Sequence, residues 1–147
     1  MTSAQPLPSL RQSLPVGERP IIFFDGVCVM CNGFVDLMLQ IDRSAKIRLA
    51  PLQGKTAQEY LPPLPDNQRE WTIYYLDETG LYDRSEAVVQ ICQRLGSWTS
   101  LLSWTSLVSL PLRDGLYTWI ARHRYDLLGR RETCRMIPPE HQHRFLP

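Results

Sequence analysis

The sequence is poor in cysteine and carries almost no excess charge of either sign. Among its 147 residues are four cysteines, and 16 Lys plus Arg balance 15 Asp plus Glu. Four cysteines are too few for a disulfide scaffold in a chain of this size. A net charge of +1 provides no broad field to attract polyanions. We therefore expect no nucleic-acid partner.

A hydrophobic run suited to a lipid bilayer is also missing. The longest charge-free stretch, Leu95 to Leu112, reaches spanning length but is interrupted by serines, threonines, Gly96 and Pro111. This composition predicts no integral membrane segment. No apolar secretion signal is visible at the start of the chain. We expect a cytoplasmic protein.

The first 19 residues differ in composition from the remainder. They contain three prolines and three serines and show neither helical nor strand periodicity, so residues 1–19 are predicted to be a disordered tail. Residues 20–147 show no internal repeat and no sign of a second domain. A chain of this size buries roughly two thirds of the surface that its unfolded form exposes, so one hydrophobic core suffices.

Short apolar runs alternate with helical patterns along this domain. Residues 20–25 form an apolar run that Gly26 breaks, which predicts a buried strand. From Cys31 to Ile41 apolar residues recur at helical spacing. Further elements are expected as a strand at 46–52, a short helix at 55–61, a hairpin from 71–76 and 81–82, and a helix capped by Ser85 that buries Val88, Ile91, Cys92 and Leu95.

The order of these elements predicts an α/β fold with a thioredoxin-like mixed sheet flanked by helices. The first crossover implies a parallel pair of strands at the centre of the sheet. Two further helical segments are expected at residues 98–110 and 112–128. One face of the second is apolar, which predicts that it packs as a C-terminal addition through Leu112, Leu116, Trp119, Ile120, His123 and Leu127.

Two of the four cysteines form a CxxC motif, Cys28-Val29-Met30-Cys31, between the first strand and the first helix. The helix N-terminus favours an anion, so Cys28 is predicted to be the nucleophilic thiolate. Cys31 lies one turn later on the apolar face. We therefore expect it to be less exposed than Cys28 and to resolve a mixed disulfide.

Asp25 stands three residues before Cys28, at the end of the strand. Its carboxylate could accept the proton of Cys31 during resolution, or it could only order the Asp-Gly turn. A buried Asp25 would oppose thiolate formation at Cys28.

A CxxC motif also occurs in metal sites. The remaining candidate ligands, Cys134, His141 and His143, have an irregular spacing for structural zinc. Redox chemistry is therefore favoured over a metal site or an inert buried pair. The predicted site includes no metal and no organic cofactor.

The motif Asp25 to Cys31 resembles the signature of the DCC family of predicted thiol-disulfide oxidoreductases, named for its Asp, Cys, Cys pattern. The likeness extends to a late arginine-tyrosine pair, a glycine, a third cysteine and a terminal Arg-Phe. These positions are Arg124 and Tyr125, Gly129, Cys134, and Arg144 and Phe145.

The resemblance implies a thioredoxin-like fold and protein-disulfide reductase activity with Asp25, Cys28 and Cys31 as the site. The expected partners are a disulfide-containing client protein or a low-molecular-weight thiol, and an external reductant. Two features depart from the pattern. Arg69-Glu70 stands before Trp71, where thioredoxin-like enzymes usually have a cis-proline, and His123 stands where the family commonly has Asn.

The remaining cysteines, His123 and a group of arginines are expected to have structural and not catalytic roles. Cys92 and His123 are expected in the core, and Cys134 as a structural thiol, although its neighbouring arginines would favour a thiolate. Arg122, Arg124, Arg130 and Arg131 are predicted to form a solvated basic face. A second face, Trp98 to Val108, supports the rival hypothesis of a non-catalytic binding module on the same fold.

The residues within the motif predict its redox poise. Val29 and Met30 offer no cation and no side-chain donor, and Asp25 adds negative charge. The pKa of Cys28 should therefore fall only modestly. On the condition that no arginine, Arg124 for example, folds over Cys28, this places the potential of the pair nearer about −270 mV than about −120 mV.

Overall fold

The computed structural model describes residues 13–96, 107–130 and 137–147. Its strands and helices follow the predicted order: β1 (Ile21–Phe24), α1 (Val29–Ile41), β2 (Arg48–Pro51), α2 (Lys55–Tyr60), β3 (Tyr74–Asp77), β4 (Gly80–Asp83), α3 (Arg84–Leu95) and α4 (Leu110–Leu128). Two short 3-10 helices, Gln68–Glu70 and Pro139–Arg144, were not expected from the sequence. The predicted helix at 98–110 falls mostly on residues 97–106, outside the described residues.

The four strands form one mixed sheet in the order β2-β1-β3-β4. Strand β1 pairs in parallel with β2, and Phe24 lies opposite Pro51. It pairs antiparallel with β3, which forms the predicted hairpin with β4. The parallel pair and the thioredoxin-like α/β class are therefore confirmed. The predicted central position of the pair is wrong, because β2 is an edge strand and the central pair, β1 and β3, is antiparallel. Strand β1 lies between β2 and β3, and the CxxC motif follows its carboxyl end.

Both faces of β1 are buried, as expected for an interior strand with a continuous apolar sequence. Ile22 and Phe24 face the cluster formed with α1 and α3, where Val35, Met38, Ala87 and Ile91 pack. Ile21 and Phe23 face the opposite cluster, which includes Leu52, Ala57 and Leu76. The first turn of α1 therefore follows a strand, β1, that packs against a hydrophobic cluster on each of its two faces.

Leu14 belongs to this second cluster, although it lies in the segment predicted to be a disordered tail. Its side chain is 3% exposed, and its backbone N–H donates to the carbonyl of Asp77 at 3.0 Å. One apolar side chain and one backbone hydrogen bond thus attach residues 13–19 to the hairpin, whereas the rest of the predicted tail lies outside the described residues.

The C-terminal residues are attached to β2 and to the end of α1. The N–H of Leu146 donates to the carbonyl of Leu49, and the carbonyl of Pro147 accepts from Thr56. The guanidinium of Arg144 donates to Asp42 at 2.8 Å, and both side chains are buried. A Cβ at Gly54 would lie 2.8 Å from the carbonyl carbon of Pro147, so this position requires glycine.

Helix α4 packs through a face that differs from the predicted one. Leu112, Leu116, Trp119 and Leu127 are each more than half exposed, whereas Asp114 and Arg124 are buried. The prediction of an apolar packing face is wrong because α4 attaches through hydrogen bonds, such as those from Thr72 and the backbone of Ile73 to the hydroxyl of Tyr117.

The start of α3 also differs. Asp83, not Ser85, occupies the N-cap position, and the hydroxyl of Ser85 instead donates to Asp114 on α4. Of the predicted buried face, Ile91 and Cys92 are buried, whereas Val88 is half-buried. No helix in the described residues is both long enough and apolar enough to cross a membrane.

Candidate active site

Cys28 is the N-cap residue of α1, as the sequence predicts. Its extended backbone, with φ −79° and ψ 124°, follows the turn that leaves β1, and its Sγ accepts a hydrogen bond from the N–H of Cys31 at 3.4 Å. The side-chain amide of Asn32 donates to the carbonyls of Gly26 and Cys28 at 2.9 and 2.8 Å. These bonds hold the turn against the helix, so the first sulfur lies at the positive end of α1.

The relative exposure of the two cysteines is the reverse of the prediction. Cys28 is completely buried, whereas Cys31 is partly exposed. The cause lies in a segment distant in sequence. The backbone after α4 forms an isolated antiparallel bridge between Arg130 and Cys28, and the carbonyl of Gly129 accepts from the N–H of Val29 at 3.4 Å. We call this backbone, Gly129–Arg130, the cover of Cys28.

The two thiols differ strongly in acidity. A hydrogen bond from the Cys31 thiol lowers the pKa of Cys28 to about 7, against the opposing effect of burial. The backbone N–H of Cys31 and the charge of Arg124 lower it further, and Asp25 raises it. The hydrogen bond to Cys28 and burial raise the pKa of Cys31 well above its usual value. Near neutral pH about half of Cys28 is thus thiolate, whereas Cys31 remains a protonated thiol.

Asp25 is buried behind the motif, and both of its carboxylate oxygens accept hydrogen bonds. Oδ1 accepts from the backbone N–H of Val27 at 3.1 Å and from the amide of Gln53 at 2.7 Å. Oδ2 accepts from Arg124 at 3.1 Å and from the hydroxyl of Tyr125. The same Gln53 accepts from the N–H of Gly26 at 3.0 Å, which closes the turn. Asp25 therefore organises the turn before Cys28.

Arg124 is part of this site and not of a solvated basic face. Its guanidinium donates to the carbonyls of Trp71 and Gln68 at 2.7 and 2.8 Å as well as to Asp25. It also lies over the ring of Tyr125, 5.0 Å from the centroid. The prediction of exposure is wrong for Arg124 because α4 presents it to the buried carboxylate, whereas Arg122 and Arg130 are exposed as expected. Arg131 lies outside the described residues.

A cavity of about 160 Å³ lies beside Cys31. Met30, Phe34, Ile73 and Val88 provide apolar walls, and Asp25, Thr72, Tyr117 and Arg124 also line it. Cys31 is the cysteine that contacts this space, whereas Cys28 is beneath the cover. The cavity can admit an apolar group next to the sulfur pair.

Comparisons with known proteins identify the family of this chain. The family model described as DCC1-like thiol-disulfide oxidoreductase matches residues 22–130, which include the motif and the whole of α4. The chain belongs to this DCC1-like family. It is similar to the uncharacterized protein YuxK of Bacillus subtilis, with 31% identity over 130 residues that cover 86% of this chain and 93% of YuxK.

A second relative of this DCC1-like protein comes from Arabidopsis thaliana and is described as a chloroplastic DCC family protein. The two are 32% identical over 123 residues, which cover 81% of this chain and 70% of the relative. No solved structure matches the chain significantly. Family membership establishes general thiol-disulfide chemistry for the DCC1-like chain.

The remaining predicted residues of the DCC1-like chain lie apart from the thiol pair or outside the described residues. Cys92 is buried on α3, as expected. His123 is half-buried at the surface, where it stacks on Trp119, so its predicted core position is wrong. Cys134 lies outside the described residues. Within residues 13–96, 107–130 and 137–147, no group of three or more His, Cys, Asp or Glu side chains could hold a metal ion.

Residues other than the usual cis-proline of thioredoxin-like enzymes stand before β3 in this DCC1-like chain. Thr72 and Ile73 precede β3, and the described residues contain no cis peptide bond. Both residues line the cavity beside Cys31. Asn32, Gln53 and Tyr117 were not predicted from the sequence. Arg124 was expected on a solvated basic face, and Tyr125 was noted only through the family resemblance. The resemblance of Arg124 and Tyr125 to the family's arginine-tyrosine pair was the one feature of the sequence that pointed to the α4 residues of the site.

Proposed function

We propose that the chain is a protein-disulfide reductase that uses the Cys28–Cys31 dithiol. The single observation that carries this proposal is the pairing at the N-terminus of α1 of a Cys28 thiol with a lowered pKa and a Cys31 thiol with a raised pKa. Thiol-disulfide exchange requires one thiolate to attack and a second thiol to remain protonated until resolution. The pair has both properties.

In the proposed reaction the Cys28 thiolate attacks one sulfur of a client disulfide. A bond forms between Cys28 and that sulfur, and the other client sulfur leaves as a thiolate. Cys31 then loses its proton and attacks Cys28, which releases the second client sulfur and leaves a Cys28–Cys31 disulfide. The client gains two electrons from the dithiol, and its two sulfurs gain one proton from Cys31 and one from solvent. An external dithiol must reduce the Cys28–Cys31 disulfide for turnover.

Access to Cys28 is part of this proposal. A client sulfur has to approach Sγ directly, yet Cys28 is completely buried and the backbone of the cover lies against it. The hydrogen bond from Val29 to Gly129 is long, at 3.4 Å, and Gly129 ends α4 with a positive φ of 92°. We expect the cover to move away from Cys28 when a client binds.

The role of Asp25 in the proposal is to hold the turn and to supply a fixed negative charge. Each of its oxygens already accepts two hydrogen bonds, so taking the Cys31 proton would require one of them to be lost. This arrangement favours the turn-ordering hypothesis over the general-base hypothesis.

The proposed partners follow from the reaction. They are a disulfide-bearing protein or a low-molecular-weight disulfide as client, and an external dithiol as reductant. A reducing compartment such as the cytoplasm suits a dithiol with a thiolate pKa of about 7. Trapping the in-cell state of the pair with an alkylating reagent tests this location, since a reducing compartment keeps both thiols free.

The experiment that tests the function is catalysed reduction of insulin by dithiothreitol. We expect the wild-type chain to accelerate reduction and Cys28→Ser to abolish the acceleration. Cys92→Ala, which removes a buried thiol on α3, is the matched control and should retain it. A folded wild-type chain that binds insulin without accelerating its reduction would instead support the binding-module hypothesis.

A further inference from the structure

Arg124 is buried at the centre of a contact between three segments that are distant in sequence. The side chains of Arg124 and Asp25 are only 4% and 1% exposed. The guanidinium of Arg124 reaches Asp25 in the β1–α1 turn and the carbonyls of Gln68 and Trp71 before β3. A buried cation with this many acceptors has a fixed position, because any displacement breaks charge-assisted bonds.

The ion pair of Arg124 and Asp25 lies next to the reacting sulfurs. Both residues line the cavity that contacts Cys31. Their charges act in opposite directions on the Cys28 thiolate, since Arg124 lowers its pKa and Asp25 raises it. In a buried setting such charges are weakly screened, so the balance between them matters for any negative charge that forms nearby.

We propose that Arg124 is a positioning residue of the dithiol site that fixes Asp25 and, through the balance of the two charges, sets how readily the Cys28–Cys31 pair is oxidised. The inference rests on the proposed redox function and assigns part of the site to α4. Asp25 is the opposing member of this balance. Tyr125 helps to fix Asp25, because its hydroxyl donates a hydrogen bond to the same carboxylate oxygen that accepts from Arg124.

The link from charge to potential follows from the half-reaction. The reduced state contains a Cys28 thiolate and a Cys31 thiol. Oxidation forms the sulfur–sulfur bond and releases two electrons and the proton of Cys31. A cation that stabilises the thiolate stabilises the reduced state and raises the reduction potential, whereas an unopposed carboxylate lowers it.

This reasoning predicts effects of opposite sign for the two members of the ion pair. Arg124→Gln leaves the Asp25 charge unopposed and should raise the pKa of Cys28 by on the order of one unit. Asp25→Asn leaves the Arg124 charge unopposed and should lower it by a similar amount. Both substitutions break the same buried contact, so a merely structural role would move the two variants in the same direction.

The other titratable groups around the ion pair of Arg124 and Asp25 are present in every variant. Tyr117 and Tyr125 lie on α4, and the guanidinium groups of Arg69 and Arg130 lie 5.9 and 5.6 Å from the centroid of the Tyr125 ring. Arg122→Gln is the matched control because Arg122 is on the same helix but exposed. Arg124→Lys keeps the charge, so the pKa of Cys28 in this variant should be closer to the wild-type value than in Arg124→Gln. The lysine variant also tests the proposal if the glutamine variant folds poorly.

The experiment measures the pKa of Cys28 from alkylation rates and the midpoint potential of the pair in glutathione buffers. A tenfold change in the thiol-disulfide equilibrium constant corresponds to about 30 mV. We expect the potential to fall in Arg124→Gln, to rise in Asp25→Asn, to return towards the wild type in the double variant and to stay unchanged in Arg122→Gln. Shifts of the same sign in both single variants, or no shift in folded variants, would overturn the inference.

Neither measurement requires turnover of a client. Opposite shifts in a chain that does not reduce insulin would support the role of Arg124 and reject the reductase proposal. Insulin reduction without opposite shifts would support the reductase and reject the role of Arg124.

Discussion

The pH dependence of alkylation at Cys28 is a sensitive prediction of the site geometry. With a pKa of about 7, half of Cys28 is thiolate at neutral pH. A thiol with the ordinary value of 9.0 would be only about 1% thiolate, which is a difference of about fiftyfold. Nucleophilicity falls with basicity at a Brønsted slope of about 0.4–0.5, so the net gain in rate is about fivefold to eightfold.

The assay is alkylation of the reduced chain by iodoacetamide across a pH series, with each modified cysteine identified by mass spectrometry. Burial beneath the cover lowers the absolute rate but leaves the midpoint of the profile in place. We expect a midpoint near 7 for Cys28 and little modification of Cys31 over the same range. A midpoint at or above about 8.5, or modification of Cys31 before Cys28, would refute the proposed division of roles.

Three further predictions concern Asp25 and the two attached termini. Asp25→Asn should change the rate of resolution by less than about tenfold if Asp25 orders the turn, whereas loss of a general base slows it on the order of a hundredfold or more, as stopped-flow kinetics would show. Arg144→Leu should lower the free energy of unfolding by about 3–5 kcal/mol in urea titrations because it leaves the buried carboxylate of Asp42 without its cation. The control Arg69→Ala, in an exposed ion pair that solvent screens, should cost much less than Arg144→Leu, and similar costs for both would contradict the argument from burial. Leu14→Ala should cost about 2–5 kcal/mol by the same titration, and no loss would show that residues 13–19 do not contribute to the core.

Much of the α/β domain could be predicted because its signals are local. The apolar run at residues 21–24, the helical spacing after Cys31 and the turn at residues 77–80 each fix an element through neighbouring residues. The position of Cys28 at the N-cap follows from the same local pattern. These features depend on the chain within one turn or one strand.

The second half of the site could not be predicted because it depends on contacts across about 100 residues. The partners of Asp25 include Arg124 and Tyr125, and the cover of Cys28 is Gly129–Arg130. Helical periodicity in α4 favoured burial of its leucines, whereas the helix packs through polar side chains that satisfy buried groups elsewhere. Periodicity alone cannot identify a helix face that is held by hydrogen bonds.

The central claim, that Cys28 attacks and Cys31 resolves, is tested most directly by trapping the mixed disulfide. Reduced Cys31→Ser chain is incubated with a disulfide-bearing peptide, and the covalent product is digested without reduction and mapped by mass spectrometry. The account predicts a peptide linked to Cys28 that accumulates because no resolving thiol is present. Absence of a linkage at Cys28, together with a stable linkage at Cys31 in the Cys28→Ser chain, would contradict it.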